Sequence, residues 1–180
     1  MMHSNSKELN TNSQENKMKK FELVAELSKE FLGRKFFRIR ALISFGDVSK
    51  GDLGGWVEKE ECVDQLGDAW VYGDARVYGN AQVSGDAQVY GDAWVYGNAW
   101  VSGDAHHITV SPIGSEGGCL TAFRQKDNSI VVRRGCFSGS LEEFEDAVNA
   151  THGDSKYAEQ YKIVIALIKS RLESVEQSND

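Results

Sequence analysis

The sequence predicts a mainly β fold: a parallel β-helix with a β-hairpin at its N-terminal end and a hairpin plus two helices at its C-terminal end. A six-residue repeat runs from residue 67 to residue 104, in which Gly, Asp or Asn, Ala and Val recur without a slip. Asn80 and Asn98 add a second period of eighteen residues. Three repeats therefore form one triangular coil, and about three coils are expected between residues 55 and 108.

The composition narrows the class of protein. The chain has 180 residues, a net charge of −7 and 26% charged side chains. An excess of acid argues against direct binding of nucleic-acid phosphates, which requires clustered Lys and Arg. No apolar run approaches the roughly 20 residues that cross a bilayer. The three cysteines have no CxxC spacing, so we expect reduced thiols in a cytoplasmic protein that contacts no membrane.

The N-terminal region is predicted to contain a tail and a cap. Residues 1–17 are rich in Ser, Asn, Gln and Lys, which predicts a disordered tail and leaves Met18 as an alternative start. Apolar segments at 21–24 and 36–43 flank the turn-forming Gly33, as in a β-hairpin. Because a β-helix ends in unpaired backbone groups, we expect this hairpin to cover the first coil.

The repeat also predicts which side chains point inward. Ala and the Val two positions later face the interior, the residue after each faces outward, and Gly-Asp or Gly-Asn forms the corner. Coils then stack about 4.8 Å apart, as strands do in any sheet. Extending the frame backward places Val57 and Val63 in the column of inward alanines.

These repeats resemble the hexapeptide-repeat family of left-handed β-helices. That family sets an aliphatic residue four positions before a small one, and Val71-Tyr-Gly-Asp-Ala75 fits the pattern. The resemblance implies a left-handed helix. It implies no single function, because the architecture serves acyltransferases, carbonic anhydrases, assembly proteins and binding proteins.

The C-terminal region is predicted to be α+β. Residues 119–125 and 130–134 flank a turn and indicate a hairpin, and Ser140 with Glu143 forms a capping box that begins a helix. A second helix is expected from about residue 155 to 175, with Tyr, Val, Ile and Leu on one face. The expected organisation is residues 1–17, disordered tail; 18–54, hairpin cap; 55–108, β-helix; and 109–180, C-terminal α+β region.

Two outer faces of the predicted helix are too aromatic to be left in water. Lateral packing into a homotrimer is one explanation, and coverage by the chain's own C-terminal helices is another. A ligand groove is the third. The candidate interface or groove residues are Trp70, Tyr72, Tyr90, Trp94, Tyr96 and Trp100.

The sequence offers no catalytic or metal constellation. His106 and His107 are neighbours in a predicted strand, so their side chains point to opposite faces and cannot form a joint site within one chain. The acyltransferases of the resembled family use a single histidine as base, which keeps an acyltransferase-like enzyme as an alternative. We predict no catalytic residues, no cofactor and no metal.

The best candidate ligand site lies in the glycine-rich segment 111–118. Its backbone NH groups can bind an anion, with charge from arginines of the following hairpin. A solvated turn with surface arginines is the alternative. The predicted ligand-binding residues are Gly114, Ser115, Arg124, Arg134, His152 and Asp154.

Motifs outside the repeat resemble a group of uncharacterised bacteriophage and prophage proteins. They are RIRAL at 38–42, FGDV at 45–48, GDLGGWVE at 51–58, GCFSGSLEEF at 135–144 and THGD at 151–154. The resemblance implies a small phage protein in the bacterial cytoplasm that counters host defence. We expect a non-catalytic, oligomeric binding protein that sequesters a nucleotide-like immune signal or blocks a host defence protein. The alternatives are the acyltransferase-like enzyme and a purely structural trimer.

Overall fold

A computed structural model describes residues 18–173, so the tail predicted at 1–17 and the end of the chain lie outside the described residues. The N-terminal hairpin consists of β1 (Phe21–Phe31) and β2 (Arg34–Ala41), which pair antiparallel. Strand β3 (Leu53–Val57) pairs antiparallel with β2 and parallel with the repeat region. The hairpin and one side of the repeat region therefore share a single sheet.

The repeat forms six two-residue strands. They form three parallel pairs whose partners lie eighteen residues apart, as in Trp70 with Gln88 and Arg76 with Trp94. The repeated Ala and Val side chains are buried, with at most 1% of their surface exposed, which confirms the predicted interior. The strands are β4 (Trp70–Val71), β5 (Arg76–Val77), β6 (Gln82–Val83), β7 (Gln88–Val89), β8 (Trp94–Val95) and β9 (Trp100–Val101).

The register of the first coil differs from the prediction. Val57 pairs with Val77 and Val63 pairs with Val83, twenty residues apart, so both valines stand in the valine column and not in the alanine column. The segment between Val63 and the first repeat strand contains two extra residues, which shifts the frame. Gly55 takes the alanine position, because its neighbour Trp56 donates a backbone hydrogen bond to the carbonyl of Ala75.

The repeated glycines form the corners of the coil. Gly85 has φ of 62°, and a Cβ added there would lie 2.5 Å from the carbonyl oxygen of Ser102 in the next coil. Only glycine tolerates both the backbone conformation and the close approach.

Both ends of the stack are covered by the chain itself. The carbonyl of Ala69 faces the N-terminal end, where the buried Lys20 ammonium donates to it at 2.8 Å. Phe21 packs in the same core. At the other end, Phe123 enters the core and the hydroxyl of Thr121 accepts from the amide of Trp94 at 3.2 Å. These contacts pair backbone groups that no further coil can pair.

The C-terminal sheet has four antiparallel strands where a two-stranded hairpin was predicted. The strands lie side by side in the order in which they occur along the chain. The first strand was missed because its residues were assigned to the last coil and a loop. The last strand has the sequence FSGS, which has no apolar alternation. The strands are β10 (His107–Ile113), β11 (Gly118–Arg124), β12 (Ile130–Arg134) and β13 (Phe137–Ser140).

Two helices cover this sheet. Helix α1 (Leu141–His152) begins with the predicted capping box. Helix α2 (Lys156–Ile168) ends earlier than predicted and continues as a π-helical segment (Lys169–Glu173). The prediction of a mainly β chain with two C-terminal helices is confirmed. No helix in the described range is long and apolar enough to cross a membrane.

Candidate functional site

A cavity of about 260 Å³ lies between the β10–β11 turn, the ends of β12 and β13, and the two helices. It brings together three residues predicted to bind a ligand and several aromatic side chains. Residues around it include Ser115, Glu116, Arg134, Phe137, Phe144, His152 and Tyr161.

Two glycines allow the turn that forms one wall to pack closely on its neighbours. Gly114 has φ of 76°, and an added Cβ would collide with the hydroxyl of Tyr161. At Gly118 an added Cβ would lie 2.7 Å from Nη1 of Arg134. The segment predicted as a loop is therefore a tight turn after Ile113, packed directly on the arginine and the tyrosine.

Arg134 places a permanent positive charge at the cavity. Its Nη2 donates to the carbonyl of Ile113 at 3.0 Å, which fixes the guanidinium at the wall. Its Nε is buried and has no hydrogen-bond partner among residues 18–173. Within the same part of the chain no carboxylate lies within 4.0 Å of this guanidinium, although Glu116 borders the cavity. Such a cation favours an anionic ligand.

Aromatic rings form the apolar side of the cavity. The His152 ring stacks on Tyr161 with centroids 5.5 Å apart. Phe144 meets Tyr161 edge-on at 5.5 Å, and Phe137 lies 5.2 Å from Phe144. Rings in these arrangements offer an apolar surface for a flat or aliphatic group. The volume lies just below the roughly 300 Å³ lower end for drug-sized ligands, so a single ring with one charged group fits.

The other two predicted ligand residues lie elsewhere. Arg124 is buried at the end of β11, where Nη1 is 3.5 Å from the side-chain oxygen of Asn128. Asp154 is exposed between the helices and does not border the cavity. Sequence reasoning missed Phe144 and Tyr161. Both lie on apolar helix faces, but only the packing of α1 on α2 makes them neighbours.

The predicted aromatic face that carries Trp70, Tyr72 and Tyr90 is partly covered. Trp70 is 1% exposed because Phe21 and Phe45 of the N-terminal region pack on its ring, so it is removed from any outer interface or groove. Tyr72 stacks on Tyr90 with centroids 4.5 Å apart. Burial, followed by the neighbouring Tyr90, raises the pKa of Tyr72 to about 12.

The other aromatic face, which carries Trp94 and Tyr96, is covered by strands of the N-terminal hairpin and the C-terminal sheet and not by the C-terminal helices. Phe31 meets Trp94 edge-on at 5.2 Å. Tyr96 packs on Phe123 at 5.3 Å and its hydroxyl bonds Ser138. The predicted helices instead cover the C-terminal sheet, because their apolar faces join its core. Trp100, which is 41% exposed, lies on a different side and does not line a groove with Trp94.

The two histidines lie directly after the last coil, His106 in a short 3-10 turn and His107 at the start of β10. Nδ1 of His106 lies 3.3 Å from the donating amide of Ser102 and 3.0 Å from its hydroxyl. Burial, followed by the charge of Arg124, lowers the pKa of His106. His107 is buried. No group of three or more potential metal ligands occurs within residues 18–173.

Comparison with protein families matches two segments of the repeat, residues 69–86 and 87–105, to the YdcK beta solenoid repeat. The chain is a β-solenoid repeat protein. The matched segments follow the parallel strands that pair at intervals of eighteen residues. A comparison with curated proteins finds no match.

Proposed function

We propose that this solenoid protein is a non-catalytic binding protein whose cavity at Arg134 holds a small anionic ligand. The observation that carries the proposal is the guanidinium of Arg134 at the wall of an aromatic cavity, with no carboxylate within 4.0 Å among the described residues. The attraction between a guanidinium and a bound anion is stronger beside apolar rings than in open water, because the local dielectric constant is lower.

The shape of the cavity supports a ligand with two parts. A planar or aliphatic group would contact Phe144 and the His152–Tyr161 pair. A carboxylate or phosphate would meet Arg134, with the hydroxyl of Ser115 beside it. A nucleoside monophosphate has both parts, and whatever exceeds one ring and one charged group, in this or a larger nucleotide, would extend past the opening. Sequestration of a nucleotide-like signal during phage infection is the biological role we propose.

We further propose that the solenoid is left-handed, contains about three coils and assembles as a homotrimer in the bacterial cytoplasm. The parallel register of eighteen residues and the glycine corners support the coil geometry. Tyr90, which is 51% exposed, and Trp100 leave apolar surface for contact between subunits. Light scattering coupled to gel filtration tests the trimer.

Isothermal titration with a panel of nucleoside monophosphates and aromatic carboxylates tests the site. Arg134→Gln should weaken binding of any ligand that the wild type holds by roughly tenfold or more, since a charge-assisted hydrogen bond contributes about 1.5–3 kcal/mol. Arg171→Gln is the matched control, because Arg171 is an exposed arginine that does not border this cavity. Equal binding by wild type and Arg134→Gln would overturn the proposal. Acetyl transfer from acetyl-CoA that is lost on His106→Ala would favour the enzyme instead.

A further inference from the structure

The tip of the β1–β2 hairpin carries an exposed leucine in a conformation that leucine rarely adopts. Leu32 has φ of 51° and the next residue, Gly33, has φ of 71°. A two-residue turn with positive φ at both positions favours Asn-Gly, because leucine is strained there. Leu32 is also 71% exposed. Little burial offsets this strain within the described chain, and a contact outside it would account for a leucine at this position.

The hairpin tip packs against a cluster of aromatic and cationic side chains. The Phe31 ring, 40% exposed, meets Trp94 at 5.2 Å. The guanidinium of Arg76 lies 4.7 Å from the centre of the Trp94 ring and 5.6 Å from that of Phe31. Arg133, from the C-terminal sheet, lies 4.1 Å from the same tryptophan. We name these four residues, together with Leu32, the tip patch.

The charge of this region is unbalanced. Among residues 18–173, neither Arg76 nor Arg133 has a carboxylate within 4.0 Å, and the same holds for Lys29 nearby. Burial, followed by the charge of Arg76, lowers the pKa of Lys29, and the carboxylate of Asp74 opposes this shift. Asp74 is already paired with Arg38 at 3.3 Å, so it does not balance both Lys29 and Arg76. A local excess of positive charge on a chain of net charge −7 attracts an anionic partner.

We propose that the tip patch binds an acidic, amphipathic segment of a partner protein. Carboxylates of the segment would meet Arg76 and Arg133, and an apolar side chain between them would cover Leu32 and Phe31. This surface is separate from the Arg134 cavity, so the proposal does not depend on the function assigned to that cavity.

The observations favour a protein partner over a nucleic acid. Single-stranded nucleic acid binds by stacking bases on open aromatic rings. In the tip patch two guanidinium groups already lie over Trp94, and Lys29 lies 3.7 Å from the ring centre of the neighbouring Trp56. An exposed leucine complements an apolar side chain, which the nucleic-acid backbone lacks.

Fluorescence anisotropy with a labelled peptide that alternates Glu with Leu and Phe tests the proposal. Arg76→Gln and Arg133→Gln should each weaken binding by about fivefold, the effect of one exposed ion pair near 1 kcal/mol. Arg40→Gln is the matched control: this arginine lies on the same hairpin, pairs with Glu22 and should leave peptide binding unchanged.

Leu32→Asn separates binding from folding. Asparagine suits the turn, so the variant should have a higher Tm than the wild type and yet bind the peptide more weakly. The proposal is overturned if the peptide binds both arginine variants and Leu32→Asn as tightly as the wild type. It is also overturned if labelled oligothymidine binds the wild type more tightly than the acidic peptide does.

Discussion

Gly55→Ala tests the register of the first coil. Gly55 occupies the position that alanine holds in later coils, and an added Cβ would lie 2.5 Å from Cγ1 of Val71 and 2.8 Å from the carbonyl of Ala75. Overpacking of this kind costs about 1–3 kcal/mol. For a chain of this length 1 kcal/mol shifts Tm by about 2–4 °C, so the variant should melt roughly 2–12 °C below the wild type.

Urea and thermal unfolding followed by circular dichroism measure this loss. Gly103→Ala is the control: Gly103 has an extended φ of −173°, and an added Cβ would meet only a side-chain oxygen of Asp86, at 3.4 Å. We expect that control to stay within about 0.5 kcal/mol of the wild type. Because Val71 causes part of the clash, Gly55→Ala and Val71→Ala should be non-additive by at least about 0.5 kcal/mol. Additive effects would refute the register, since a glycine at an outward corner would not contact Val71.

Two further predictions follow from buried titratable groups. Burial lowers the pKa of Lys20 to about 8 in the folded chain, against an ordinary value of 10.5. Between those pH values the unfolded chain keeps a proton that the folded chain releases. The free energy of unfolding of the wild type, relative to that of Lys20→Met, should therefore rise from pH 8 to 10. A difference in unfolding free energy that does not change with pH would contradict the burial of Lys20. Burial likewise raises the pKa of the Cys62 thiol to about 11. Iodoacetamide at pH 8 should therefore modify the exposed Cys136 much faster than Cys62. Peptide mapping measures both rates, and the urea-unfolded chain is the control in which the two thiols should react alike.

Much of the fold is predictable because the repeat encodes it locally. Each hexapeptide carries its own corner, its inward Ala and Val and its outward side chain, so the parallel pairing follows from the period of eighteen. The first coil was assigned in the wrong frame, because nothing in the sequence marks the two extra residues between Val63 and Trp70. Strand β13 was missed because its pairing with β12 depends on position in the sheet and not on its own composition.

The candidate site was predictable in part. Ser115, Arg134 and His152 were identified by residue type, and the structure places them around one cavity. Arg124 was chosen on the same grounds, yet it is buried at the end of β11 and does not border the cavity. The aromatic wall was missed because Tyr161 reaches the cavity only through the packing of α2 against α1. Charge and turn chemistry can be recognised in a sequence, whereas the partners of a helix face depend on the whole fold.

Native mass spectrometry of the wild type and Arg134→Gln, both purified from phage-infected bacterial cells, tests the central claim most directly. The cavity at Arg134 should retain a small anionic compound on the wild type, and the variant should lose it while keeping the circular dichroism spectrum of the folded wild type. The same bound mass on both proteins, at equal occupancy, would contradict the assignment of this cavity as the ligand site.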